Sequence, residues 1–254
     1  MSLWKVIKGE EPGFFESASH AMQGKGHYGE YLTEFALNHQ GLPGKFFTYN
    51  NLIVPRKGKV TSTSELDVVM LHEKGVYVFE SKNYSGWIFG SADQQKWTAS
   101  YQNGHKEHFY NPIKQNRAHV RTLAEYMMVP ESVFKSYIVF SERCELKKVP
   151  TDNAEVTVLQ RDRLISDLKK DLSWHEPVFD YEEFARLKLR LDALTVTSTD
   201  DAREAHVKEV QAVADGKICP YCGSKLVERH RKSDGGTFIG CSGFPKCRYT
   251  RNEW

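Results

Sequence analysis

No apolar run in this 254-residue chain approaches the roughly 18 residues that span a bilayer. The opening segment, residues 1–17, has no basic stretch followed by an apolar one, so no secretory signal is expected. Cysteines number five, too few for a disulfide scaffold. Neither sign of charge prevails: 35 Lys and Arg face 33 Asp and Glu, which excludes a uniformly basic coat or an acidic tail. Internal repeats and low-complexity tracts are also missing, which excludes a solenoid. What remains is 40% hydrophobic and 12% aromatic, enough for a sizeable core. A soluble, cytoplasmic protein without membrane partners is expected.

The charge balance hides an asymmetry. Residues 217–252 hold eight basic side chains against Glu228 and Asp234, a net +6. The whole chain carries +2, so the rest carries −4. Four of the five cysteines lie in the same basic tail. A Ser/Thr/Asp cluster at Leu194–Asp200 reads as loop, and Asp200 or Asp201 is expected to cap a short polar helix that Asp215-Gly216 stops. The expected domains are residues 1–194 with a core at about 24–140, a linker helix at 195–216, and a small module at 217–254.

Hydrophobic spacing predicts a helix over Gly29–His39, a strand over Phe46–Val54 and a basic loop at Pro55–Lys59. Strands are predicted over Ser64–Leu71 and Val76–Tyr84, joined by a tight turn. Asn103-Gly104 marks a hairpin between Gln95–Tyr101 and His105–Tyr110. Asn111-Pro112 starts a helix, Lys135–Phe140 and Glu155–Leu159 read as strands, and Arg161–Leu172 and Tyr181–Leu194 read as helices. The fold class is α/β, with a central mixed sheet flanked by helices.

Strand side chains alternate faces, so Asp67 shares a face with Glu65, Val69 and Leu71, and Glu80 with Lys82, Val76 and Val78. If the two strands pair, two carboxylates and an ammonium meet on one side of the sheet. Clustered carboxylates repel, and burial disfavours their charged forms. A divalent cation relieves both costs, and Mg²⁺ suits two carboxylates plus a substrate phosphate. A lysine beside them can steady charge on a phosphorane-like transition state. Asp followed about a dozen residues later by Glu-x-Lys is therefore a layout for phosphodiester hydrolysis. The plainer alternative is a hairpin whose charged face meets water.

The same region resembles the NERD (nuclease-related) domain family and, beyond it, the restriction-endonuclease-like PD-(D/E)xK nucleases. The residues that carry the likeness are Gly29-Glu30, Asn50-Asn51-Leu52, Ser64-Glu65-Leu66-Asp67, the string from Gly75 through Glu80-Ser81-Lys82-Asn83-Tyr84-Ser85-Gly86, Trp97, and Asn111-Pro112 through Gln115-Asn116. It spans roughly residues 24–130. Leu66 stands where the broad superfamily has proline. The resemblance implies a restriction-endonuclease-like α-β-β-β-α-β core with Asp67, Glu80 and Lys82 at the active centre. It also implies that Glu30 projects from the first helix and Gln115 from the second. His119, one turn beyond Gln115, reads as structural; Glu65 reads as exposed or supporting rather than a ligand; Trp87 and Trp97 read as packing residues.

Cys219 and Cys222 form one CxxC knuckle, and Cys241 and Cys247 close a second pair 18 residues later. Zinc takes four thiolates in a tetrahedron, and so short a segment needs the metal to fold. Four unrelated thiols, or a redox CxxC, are the competing readings; no βαβ context supports the second. Cys144 lies apart and reads as inert. The pattern Cys-Pro-Tyr-Cys-Gly-Ser-Lys-Leu, followed by the segment from Gly236 to Tyr249, resembles the C-terminal four-cysteine zinc finger of bacterial type I topoisomerases. It implies binding to DNA, single-stranded by preference. Phe244 and Tyr249 are interleaved with Lys225, Arg229, Arg231, Lys246 and Arg248, so aromatics can stack bases while cations follow phosphates. Phe238 reads as packing around the metal.

Together these readings point to a metal-dependent endonuclease or nuclease-like DNA-processing protein that hydrolyses phosphodiesters with Mg²⁺ or Mn²⁺. Its zinc-ribbon-like module would hold single-stranded or branched DNA, with no small-molecule substrate. The alternative is a nucleic-acid-binding protein with a degenerate nuclease fold. A topoisomerase is disfavoured, since the length leaves no room for a strand-passage body.

Overall fold

The computed structural model describes residues 25–56, 60–150, 152–153, 156–231 and 235–251. Residues 57–59 of the basic loop expected at Pro55–Lys59, residues 1–24 and Glu155 lie outside these. Packing separates the described chain into two units. The first takes the residues up to Leu52 and Leu66–Ala193; the second takes Ile53–Glu65 and the chain from Leu194 onward.

The first unit opens with helix α1 (Lys25–His39), which starts one turn before the apolar spacing predicts. Strands β1 (Phe46–Pro55), β2 (Thr63–His72) and β3 (Gly75–Lys82) follow, then β4 (Gly86–Phe89), β5 (Lys96–Ser100) and β6 (Lys106–Tyr110). Helix α2 (Pro112–Met127) leads to β7 (Phe134–Phe140), β8 (Cys144–Lys148), β9 (Asp152–Asn153), β10 (Val156–Gln160), α3 (Arg161–Trp174) and α4 (Tyr181–Thr197). The main sheet runs β1-β2-β3-β7-β10-β9. Strands β3, β7 and β10 are parallel, and β2 lies antiparallel to β3, so the sheet is mixed as expected. A second sheet, β6-β5-β4-β8, has no counterpart in the sequence reading beyond its β5–β6 hairpin.

Alternation along the strands sorts the core. Tyr77 and Phe79 of β3 and Tyr137 and Val139 of β7 pack with Ala36 and Leu37 of α1 and Leu164 and Leu168 of α3. Ile138 and Phe140 face the other way, with Ile113 of α2 and with Ile88, Trp97 and Ala99 of the second sheet. Helices α1 and α3 thus cover one face, and α2 with the small sheet covers the other. Asn111 starts α2 as foreseen: its carboxamide oxygen accepts from Ile113 N at 2.9 Å, and its Nδ2 donates to Ser91, Ala92 and Gln94 carbonyls. Asn116 then pins the helix across two strands, donating to Val78 O and Ser136 Oγ at 2.9 Å each.

In the second unit, helix α5 (Asp200–Ala214) is capped by Thr199, whose Oγ1 accepts from Ala202 N, and not by Asp200 or Asp201. Threonine sits one residue earlier in extended backbone, where a cap belongs; both aspartates fall inside the first turn, where their charge suits the helix dipole. The helix is more than a spacer, because its polar face grips residues 62–65. Arg203 pairs with Glu65 at 3.0 Å, Thr63 Oγ1 meets His206 Nδ1 at 2.9 Å, and Ser62 donates to Glu209 at 2.9 Å. Strands β11 (Leu226–His230), β12 (Thr237–Cys241) and β13 (Thr250–Arg251) form a small antiparallel sheet. Among the described residues no helix is long and apolar enough to cross a membrane.

Candidate active site and metal centre

The register of β2 against β3 pairs Val69 with Val78 and Leu71 with Val76. That register puts Asp67, Glu80 and Lys82 on one face, the face that α2 covers. Asp67 Oδ2 accepts from Ser81 N at 2.8 Å. Lys82 Nζ donates to Glu80 Oε1 at 2.6 Å and to Gln115 Oε1 at 3.2 Å. The three residues named for the active centre and Gln115 therefore come together. Glu30 lies half-buried on α1, close enough for its charge to act on Asp67. The helix carrying it docks at the end of β3 through Gly29. A Cβ on Gly29 would lie 3.1 Å from Ser81 Oγ and 3.2 Å from Asn83 Cβ.

His119 is the member that sequence reasoning undervalued. Its Nε2 stands 3.2 Å from Glu80 Oε2, within ion-pair reach when the ring is protonated. The available signal was its spacing, four residues after Gln115 and so on the same face of α2. Glu65 turns to Arg203 and ligates nothing in the centre. Trp97 is fully buried, stacked 6.1 Å from Phe140, as expected of a packing residue. Trp87 is not one: it is 47% exposed, with Lys147 Nζ 5.7 Å from its ring. A four-residue strand in a thin sheet leaves one of its faces uncovered.

The charges are unevenly compensated. Burial pushes the Glu80 carboxyl up, but Lys82 and His119 outweigh it and pull it down to about 2. Burial works against the Lys82 ammonium, but Glu80 and Asp67 outweigh it and hold the lysine above its usual range. Lys82 is thus a fixed cation and no base near neutral pH. Asp67 goes the other way: burial, then Glu80 and Glu30, raise its carboxyl well above the ordinary range. The Lys82 charge and, after it, the Ser81 N–H oppose this. Asp67 is the group for which a cation would relieve the most strain, and its oxygen donors suit a hard ion. Among the described residues Asp67, Glu80 and Glu30 do not bring one oxygen each within 4.8 Å of one another; only the four cysteines form such a cluster with their ligand atoms.

That cluster is Cys219, Cys222, Cys241 and Cys247. The Sγ pairs 219–247 and 222–241 lie 3.7 and 3.3 Å apart. A tetrahedron with Zn–S bonds of about 2.3 Å has sulfurs about 3.8 Å apart, so the cage fits structural zinc. Ser224 holds the Cys222 thiol down to about 6, ready to bind as thiolate. Burial pushes the isolated Cys144 thiol up to about 12, which leaves it inert. Around the cage, Phe244 is 59% exposed with the Arg229 guanidinium 5.8 Å from its ring, and Tyr249 packs 5.4 Å from Tyr221. Lys225, Arg231, Lys246 and Arg248 are exposed, and Phe238 is partly covered.

Residues 25–141 match the family model described as "Nuclease-related domain", and residues 216–253 match "Topoisomerase DNA binding C4 zinc finger". An uncharacterized protein of Bacillus anthracis is 31% identical over 140 residues, 55% of this chain and 64% of that protein. DNA topoisomerase 1 of Methanothermobacter thermautotrophicus is 55% identical over 42 residues, 16% of this chain and 5% of the enzyme. DNA topoisomerase 1 of Methanocaldococcus jannaschii is 45% identical over 47 residues, 18% of this chain and 6% of that enzyme. The chain thus spans less than two thirds of the bacillar relative, and the topoisomerase likeness covers 16–18% of this chain and 5–6% of those enzymes.

Proposed function

We propose that this chain, a nuclease-related domain followed by a topoisomerase-type C4 zinc finger, is a Mg²⁺-dependent DNA endonuclease of the cytoplasm. Residues 1–194 would form the catalytic module, 195–216 the connection, and 217–254 the part that holds single-stranded or branched DNA. The observation that carries the reading is the meeting of Asp67, Glu80 and Lys82 on one sheet face, with Gln115 on the lysine and Glu30 near the aspartate.

Asp67 and Glu80 would hold Mg²⁺ or Mn²⁺, which when bound supplies Lewis acidity at the scissile phosphate. Lys82, permanently charged, places an ammonium where negative charge grows on the phosphoryl oxygens. Gln115 fixes that ammonium from the α2 side. His119 restrains the far oxygen of Glu80 and so sets which way the carboxylate faces. In the finger, Arg229, Arg231, Arg248, Lys225 and Lys246 would neutralise phosphates, while Phe244 and Tyr249 offer rings to bases.

One observation favours a second reading, binding without catalysis. Both oxygens of Glu80 already have close neighbours, the Lys82 ammonium at 2.6 Å and His119 Nε2 at 3.2 Å. A cleavage assay separates the two. Purified protein is offered plasmid and single-stranded DNA with Mg²⁺, Mn²⁺ or EDTA, beside Asp67→Ala. Metal-dependent cleavage lost in Asp67→Ala supports the endonuclease. DNA binding with no cleavage under any metal leaves the binding-only protein.

A further inference from the structure

We infer that a groove between β4, β8 and the β5–β6 turn is a binding track for a single nucleic-acid strand running away from the candidate catalytic residues. The direction of the track rests on the nuclease reading; the binding itself does not.

The groove encloses about 600 Å³ and is lined by Gly86, Trp87, Tyr101, Gln102, Asn103 and Arg143, among others. That is the size of ordinary ligand sites. Its inner end is fixed to the catalytic strand. Ser141 N donates to Lys82 O at 2.9 Å, and Arg143 Nη2 donates to Asn83 Oδ1 at 2.6 Å, one residue past Lys82. Arg143 N and Nε are both held by Ser141 Oγ at 3.2 Å. The guanidinium is thus oriented yet exposed, the arrangement that serves a phosphate.

The floor is shaped to stay open. Gly86 takes φ +80°, and a Cβ there would fall 2.4 Å from Ser100 O, so no side chain can rise from this point. Beyond it stands Trp87, a large ring left 47% exposed on a strand of four residues. Glu145 also lines the groove, an unfavourable neighbour for a phosphate, but Lys147 pairs with it and lies over the Trp87 ring. An oriented arginine, an exposed tryptophan and the Gln102 and Asn103 amides form a phosphate-and-base pattern, and one that tolerates any sequence.

The test uses the full-length protein without divalent cation, so hydrolysis plays no part. Single-stranded oligonucleotides carrying 5-iodouracil are photo-crosslinked and the attachment points mapped. Affinity is then measured for Trp87→Ala, Trp87→Phe and Arg143→Ala over a range of salt. Both residues are exposed, so the variants should fold. Crosslinks should appear at Trp87 or Tyr101. Trp87→Ala and Arg143→Ala should each weaken binding about tenfold, Trp87→Phe should retain most of it, and Arg143→Ala should reduce the salt slope by about 0.7. Crosslinks confined to residues 217–254, or affinities unchanged in both alanine variants, would overturn the track. Crosslinking here in a protein that hydrolyses nothing keeps the track and removes only the nuclease reading. Hydrolysis without crosslinking here does the reverse.

Discussion

Asp67 makes the sharpest single-residue statement in the molecule, because what serves chemistry there should cost stability. Its carboxyl is raised by burial, Glu80 and Glu30, so the fold prefers it protonated. A group raised in the folded state contributes stability below its unfolded value, near 4, and loses that contribution as pH rises through the folded value. At pH 7, far above the unfolded value, the raised Asp67 carboxyl therefore weighs against folding. Asp67→Asn should melt a few degrees higher than wild type at neutral pH, with the difference vanishing below about pH 4. Thermal melts across that range check it; an equal or lower melting temperature for the variant at pH 7 would mean the site is not strained. Gly29 makes the opposite case, since space and not charge decides there. A methyl at this position meets Ser81 Oγ and Asn83 Cβ at 3.1–3.2 Å, tighter than ordinary packing. Gly29→Ala should cost about 1–3 kcal/mol, read as a melting temperature several degrees lower. A neutral outcome would mean that α1 can slide off β3 freely.

At the scale of elements, the finger is too small to bury a core, and its strands are short and half-exposed. Zinc must supply its folding free energy. One zinc per chain is expected by elemental analysis of protein purified without chelator, lost in Cys219→Ser or Cys241→Ser together with the finger's dispersed amide signals. Full zinc content in either variant would refute a four-thiolate cage. The cage was legible from cysteine spacing alone, because a tetrahedral ion dictates which residues must converge. The β2–β3 face was legible too, since a period of two in Asp67–Leu71 and Val76–Lys82 fixes the side on which each charge emerges. Strands β4 and β8 were not. Gly86–Phe89 is too short to show a period, and Cys144–Lys148 carries three charged residues in five; β4 is held by β5 and β8 on its two sides, and β8 pairs with β4. For the same reason Trp87 looked like a core residue: nothing local says that its strand sits in a thin, one-sided sheet. His119 and the grip of α5 on residues 62–65 were hidden differently. Each is a long-range contact between ordinary polar residues: helical spacing puts His119 on the face of Gln115 but does not name Glu80 as its neighbour, and nothing periodic names the partners of α5.

At the scale of the whole molecule, the chain joins a carboxylate–lysine centre to a strongly basic zinc module. The cations around Phe244 should govern how salt affects DNA affinity. Replacing Arg229 and Arg248 together by Ala in the full chain should weaken single-strand binding and flatten the salt slope by roughly 0.7 for each phosphate left without its cation. An unchanged slope would place the DNA anchor elsewhere. Whether Asp67, Glu80 and Lys82 cleave phosphodiesters with a divalent cation is read from single-turnover cleavage rates. These are compared for wild type, Asp67→Asn and Lys82→Ala at saturating protein with Mg²⁺ or EDTA. The proposed chemistry requires Mg²⁺-dependent cleavage by the wild type and a loss of about a hundredfold or more in each variant, roughly 3 kcal/mol, with zinc content and DNA affinity preserved. Mg²⁺-dependent cleavage at the wild-type rate in both variants would contradict it.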